Sequence, residues 1–206
     1  VTSVEREITN SEGFVKKVKV RKYSDVPVEQ NRYDGFTKTG SATYVAEIVA
    51  ESKTRDLALL RMKGSIPHGY ESPLLPDDGV IQRGDEIYSV GNPAGEDATL
   101  GAGIVSNVNR EFDFPWTAGA RLPMIQFSGG LFGGNSGGAL YNTKGQLIGV
   151  PAAGYRMATF IGFAIPVSVV KQFLKDNCFQ SDQWGIVDDK ECRKAKAEKA
   201  KADKSE

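Results

Sequence analysis

One run of residues, Gly133-Gly-Asn-Ser-Gly-Gly-Ala-Leu140, holds the strongest chemical signal in this sequence. A serine alcohol attacks a carbonyl only when a base removes its proton. The negative charge that then develops on the carbonyl oxygen needs donors already in place. Glycines on both sides of Ser136 let the backbone fold tightly, so that amide N–H groups point at one spot. The expected donors are the N–H groups of Gly134 and Ser136. The same run also reads as a plain glycine-rich turn between strands. It is not a phosphate-binding loop, because the closing Lys-Ser/Thr pair is absent. Nor is it a strand-to-helix nucleophile elbow, because Gly137-Gly-Ala-Leu-Tyr141 reads as strand.

The elements that must carry this loop are mainly short strands. Phe14 to Val20, Thr43 to Ala50, Leu57 to Met62, Glu86 to Val90, Gly103 to Val108, Met124 to Phe127, Gln146 to Val150 and Thr159 to Ile165 are β-rich. Gly, Asn, Asp and Pro cluster between them, which argues for an all-β sandwich or barrel. The segment Tyr23 to Gly40 is polar and turn-rich and reads as an excursion between strands. One helix is predicted over Pro166 to Lys175, with Val169, Val170, Phe173 and Leu174 at helical spacing and Ser168 as its cap. From Arg193 to Glu206 there are six basic and three acidic residues and no apolar stripe, which reads as a solvated tail. That tail lacks the aromatics of a nucleic-acid arm.

The 206 residues suffice for one domain or two small packed barrels. A formal net charge of zero implies neither nucleic acid nor an anionic membrane surface as partner for the whole chain. No apolar run is long enough to span a bilayer. The sequence starts at Val1 without a leader, which reads as a chain processed or incomplete at its start. Cys178 and Cys192 form no CxxC pair, and the single His68 is distant in sequence, so no metal site is expected. Two readings of the cysteines stay open: one disulfide, which would suit an oxidising compartment, or two unpaired thiols.

Gly134-Asn-Ser-Gly-Gly-Ala-Leu140 resembles the active-serine motif of HtrA/Deg-type proteases, and its neighbours resemble that family in order. Asp56-Leu-Ala-Leu-Leu60 is similar to the strand carrying the triad aspartate. Gly84-Asp-Glu-Ile-Tyr-Ser-Val-Gly-Asn-Pro-Ala-Gly95 is similar to the passage from first to second barrel. Gly103-Ile-Val-Ser106 and Ile125-Gln126 sit where the family has the next strands. Gly145-Gln-Leu-Ile-Gly-Val150 and Ile161-Gly-Phe-Ala-Ile-Pro166 resemble the strands that wall the substrate cleft. The resemblance covers residues 43–175 and implies an all-β, two-barrel chymotrypsin/trypsin-like fold with a C-terminal helix, its first barrel incomplete. It divides the chain into a protease domain over residues 1–180 and a cysteine-bearing loop with charged tail over residues 181–206. The family often carries a PDZ domain after the protease, and residues 181–206 do not read as one.

By the family pattern Ser136 is the nucleophile, and Asp56 orients the base and stabilises its cation. Outside that pattern Asp56 is a turn residue opening a strand. The implied specificity pocket is lined by Gly129, Gly130, Val150, Pro151, Ala152, Ala153, Gly162, Phe163 and Ala164. The implied base is a histidine preceding Asp56, yet residues 1–55 contain none. His68 follows Asp56, in Ser65-Ile-Pro-His-Gly-Tyr70, and would serve only if its loop turned back into the cleft. The intact Asp56 and Gly134-Asn135-Ser136 favour a histidine encoded upstream of Val1 over a pseudoprotease. Three functions are compared. The first is a serine endopeptidase acting through an acyl-enzyme on polypeptide substrates. The second is a non-catalytic barrel that binds peptides, and the third is a viral or phage processing protease. The mechanism needs no cofactor, no oligomer is indicated, and the resemblance points to a periplasmic or secreted setting.

Overall fold

Alternation of apolar and polar residues sets most of the strands and decides which faces they bury. The computed structural model describes residues 2–9, 15–22, 25–34, 37–64, 79–93, 99–113, 121–129, 134–155, 158–182 and 185–202. The chain divides into two compact units, residues 1–51 with 58–69 and residues 52–57 with 70–206. The first unit contains the antiparallel hairpin of β1 (Thr2–Thr9) and β2 (Val15–Lys22), with Val4 opposite Val20. It also holds most of a three-stranded sheet in the order β3 (Val26–Asp34), β4 (Thr37–Ser52), β5 (Leu57–Lys63). Ala46 and Ala50 are the buried apolar side chains of β4. Tyr23 to Gly40, read from sequence as an excursion, instead supplies β3 and the start of β4. Its polar residues pair as a hairpin in which Gln30 faces Ala42 and Asn31 faces Ser41.

The second unit is built on a closed six-stranded barrel in the order β10-β11-β8-β7-β6-β9. Its strands are β6 (Glu86–Gly91), β7 (Thr99–Asp113), β8 (Arg121–Ser128), β9 (Ala139–Asn142), β10 (Leu147–Tyr155) and β11 (Ala158–Pro166). Closure leaves no exposed edge among these strands. Every strand sends a side chain to one core cluster: Ile87, Val105, Ile125 with Phe127, Leu140, Ile148 and Ala164. In β8 the buried positions shift phase, from Leu122 and Met124 to Ile125 and Phe127. A period-two strand cannot do this without a local irregularity. The β7–β8 register indeed shifts on either side of Asn107. Leu122 and Met124 therefore serve a second cluster with Phe163 and Ile165, against which Leu57 and Val169 pack.

Helix α1 (Val167–Asp176) follows β11 and buries Val167, Phe173 and Leu174. Ser168 is not its cap. The N-cap is Pro166, with no side-chain hydrogen bond, and Ser168 lies exposed in the first turn. The loop and tail expected after α1 are also corrected. Phe179–Asp182 (β12) pairs with Gly185–Asp188 (β13), and Lys190–Ala202 forms helix α2. The lack of an apolar stripe was real, and α2 is exposed along almost its whole length. Ala, Lys and Glu are strong helix formers in their own right and set the helix without a stripe. Cys178 and Cys192 are joined in a disulfide.

Candidate active site

The loop between β8 and β9 is a tight turn held from two sides. The N–H of Gly138 donates to Asn135 O at 3.0 Å, which makes Ser136 and Gly137 the central turn residues. Gly137 has φ +81°, the positive value that the third position of a type II turn demands. Ser136, at the turn's exposed second position, is thereby held outward, while its neighbour Asn135 is buried. Gly134 has φ +112°, and a Cβ there would meet Asn92 O at 2.1 Å, so no other residue fits without moving backbone. The same close approach lets Asn92 N–H donate to Gly134 O at 3.2 Å.

On its other side the turn hangs on β10. Gly137 N–H donates to Pro151 O at 2.8 Å, and Ser136 Oγ donates to Ala152 O at 3.3 Å. Pro151 has no N–H to offer a neighbouring strand, and the β10–β11 register shifts between Pro151 and Ala153. A proline in a strand is confined to such irregular places, and here the shift falls at the residue whose carbonyl meets the serine. The N–H groups of Gly134 and Ser136 donate to no acceptor among the described residues.

Asp56 closes the turn 53–56, just ahead of β5. It has φ 53°, a left-handed conformation that aspartate tolerates better than most residues. Its N–H donates to Lys53 O at 3.4 Å, and its side chain is exposed. No hydrogen bond joins Asp56 to the Ser136 hydroxyl.

Of the residues expected to contact substrate, the structure joins Pro151 and Ala152 directly to the serine turn. Gly129 directly follows β8 with φ +130°, close against Ala102 of β7. Gly162 pairs with Phe127 and Gly154. Val150, Ala152 and Ala153 are part-buried on β10, whereas Phe163 and Ala164 send their side chains into the barrel's two core clusters. Gly130, Gly133 and His68 lie outside the described residues. Two contributors escaped the sequence reading: Gly91 and Asn92 at the end of β6. A Cβ on Gly91 would meet Asn135 Oδ1 at 2.3 Å, so this glycine is what admits the serine turn. A cavity of about 330 Å³ bounded by Ile81, Val108, Pro123, Val167 and Lys171 contains none of these residues. No group of acidic, His and Cys side chains among the described residues could hold a metal ion.

Residues 6–150 match the family model described as the trypsin-like peptidase domain. The chain belongs to that family. Among its relatives, this trypsin-like peptidase domain is 32% identical over 143 residues to the chloroplastic Protease Do-like 1 of Arabidopsis thaliana, a match spanning 65% of this chain and 31% of that one. It is 32% identical over 149 residues to the HtrA-like serine protease of Staphylococcus aureus, spanning 68% of this chain and 19% of the relative. The chain thus spans about a third or less of the length of these relatives. In three dimensions it resembles Deg5, with a TM-score of 0.52 and 30% identity, over 65% of this chain and 60% of that one. It shares its fold with the active form of the Rv3671c protease from M. tuberculosis, with a TM-score of 0.55 and 21% identity, over 69% of this chain and 60% of the other. The fold of this trypsin-like peptidase domain is therefore the all-β fold of the HtrA/Deg proteases.

Proposed function

We propose that this chain is the peptidase domain of a serine endopeptidase acting on polypeptides through an acyl-enzyme at Ser136. Ser136 Oγ attacks the carbonyl carbon of the scissile bond, and its proton passes to an imidazole base. The oxyanion that forms is met by the N–H groups of Gly134 and Ser136. The imidazolium then protonates the leaving amine, and water hydrolyses the ester by the reverse sequence of proton transfers. Asp56 fixes the base and stabilises its charge. On this reading residues 1–180 belong to the peptidase domain and residues 181–206 to a C-terminal appendage. One observation carries the reading: an exposed serine on a glycine turn, beside two backbone donors that meet no acceptor among the described residues.

The base is assigned to a histidine encoded before Val1, because residues 1–55 contain none. The same fact favours a second reading, a non-catalytic barrel that binds peptides. Hydrolysis of an unfolded protein by residues 1–206 and by a form extended before Val1 separates the two. Activity in the extended form only, abolished by Ser136→Ala, is the expected result. A folded, inactive extended form supports the peptide binder. Equal activity in both forms, lost on His68→Ala, makes His68 the base.

A further inference from the structure

The turn that carries Asp56 is tied to the C-terminal end of α1, in the same unit. Arg55, immediately before Asp56, places Nη2 2.5 Å from Oδ2 of Asp176, 121 residues later in the chain. Asp176 ends α1, and its other oxygen accepts from Gln172 Nε2 at 2.8 Å, one turn back. The Asp176 carbonyl accepts from Lys196 Nζ of α2 at 2.5 Å. Helix α2 is itself anchored. Cys192 is bonded to Cys178, and its N–H donates to Asp189 Oδ1 at 2.9 Å. The Arg193 guanidinium lies 4.8 Å from the Phe179 ring centroid. A continuous set of contacts thus runs from the disulfide-held helix through Asp176 and Arg55 to the residue beside Asp56.

Asp56 needs such support. At φ 53° even aspartate, which tolerates the left-handed region better than most residues, gives up some backbone stability that its surroundings offset. Its own turn offers one long backbone hydrogen bond, 3.4 Å. On the far side Leu57 packs against the second core cluster. On the near side the anchor is Arg55. The Arg55 and Asp176 side chains are 29% and 42% exposed, so the ion pair adds little to overall stability. A contact that barely stabilises the domain yet grips one flank of a strained turn acts on geometry.

We propose that Arg55 and Asp176 are positioning residues that hold the 53–56 turn, and with it the Asp56 carboxylate, in place for the histidine base. The catalytic half of this inference rests on the reading of Asp56 as the triad acid. The experiment measures hydrogen exchange, melting temperature, kcat and KM for the full-length gene product. The variants are Arg55→Ala, Asp176→Ala, the charge swap Arg55→Asp with Asp176→Arg, and Asp56→Asn. Both alanine variants should raise exchange at the Asp56 and Leu57 amides about ten-fold and leave the β6–β11 amides and the melting temperature unchanged. They should lower kcat by about 10- to 100-fold at constant KM, the scale that a small misplacement of a catalytic group produces. The swap should restore part of both. Unchanged exchange at Asp56, or a uniform rise across the barrel, overturns the positioning role. Full turnover in Asp56→Asn overturns the reading of Asp56 instead, and the exchange data then decide the turn-holding role alone.

Discussion

Ser136 donates its hydroxyl hydrogen bond to the carbonyl of Ala152, 3.3 Å away on β10. That carbonyl is available because the β10–β11 register slips beside Pro151, whose own carbonyl holds Gly137 N–H. A serine that bonds a backbone carbonyl is not yet activated, since a carbonyl cannot take its proton. On the proposed mechanism the hydroxyl turns from Ala152 to the imidazole when the site is complete. Strand β10 therefore shapes the serine turn as well as bordering it.

Gly134→Ala should damage the site more than the fold. The added Cβ would meet Asn92 O at 2.1 Å, and φ +112° is closed to alanine. Strain of this kind costs about 1–3 kcal/mol. The turn can relieve it by moving Ser136 without disturbing the barrel core. The expected outcome is a modest fall in urea midpoint and a loss of turnover out of proportion to it. Full activity in this variant would mean that the observed turn is not the working one.

Strands that bury one face were legible in the sequence, because alternation survives wherever there is an inside and an outside. Ile87 with Ser89 in β6 and Leu122 with Met124 in β8 are such cases. Strand β3 was not legible, since Glu29, Gln30 and Asn31 bury nothing fully and pair through backbone alone. Helix α2 hid for a different reason: its signal is propensity without a stripe. The serine turn announced itself through its glycines. The matching vacancies, Gly91 against Asn135 and Asn92 against Gly134, could be seen only once β6 and the turn were brought together. The Arg55–Asp176 pair spans 121 residues and joins two side chains outside the core, and no local pattern encodes it.

The disulfide should matter locally. Helix α2 runs thirteen residues without an apolar face, a length at which an isolated helix is marginal in water. Closing the 14-residue separation between Cys178 and Cys192 is worth roughly 3 kcal/mol in the chain-entropy description. Cys192→Ser should therefore cut amide protection in α2 by about a hundred-fold while the β6–β11 amides keep theirs. Equal protection with and without the bond would show that other contacts secure the helix.

Acid should release Arg55 late. The hydrogen bond from Gln172, and after it that from Arg55, holds the Asp176 carboxyl below its ordinary value. A depressed carboxylate pKa contributes stability that is present above the unfolded value and lost as pH falls through the folded one. The window therefore lies below about pH 3.9, the ordinary carboxylate value. An NMR titration of Asp176 should show its inflection there, with the Arg55 side-chain signals moving in step. Inflection above pH 4.5 or so would contradict the pairing.

Cleavage should favour small or medium apolar side chains on the acyl side of the scissile bond. The residues proposed to line the pocket, Gly129, Gly130, Val150 to Ala153 and the backbone of Gly162 to Ala164, whose Phe163 and Ala164 side chains turn into the core, include no acid. A buried Lys or Arg would then lack a partner, which is costly. Profiling against a peptide library decides the matter, and strong selection for Arg or Lys would refute the pocket assignment.

If Ser136 is an activated nucleophile, it should react covalently with an electrophile that takes up the geometry of an acyl-transfer transition state. The full-length gene product is treated with a fluorophosphonate, digested, and analysed by mass spectrometry for the peptide containing Ser136. A single phosphonyl adduct on Ser136 is expected. Ser136→Ala should abolish labelling and lower turnover by several orders of magnitude. That variant should keep its melting temperature, because the serine side chain is exposed and lies outside both core clusters. A folded full-length protein that takes no label at Ser136, or that hydrolyses polypeptides equally well as Ser136→Ala, would rule out Ser136 as the nucleophile.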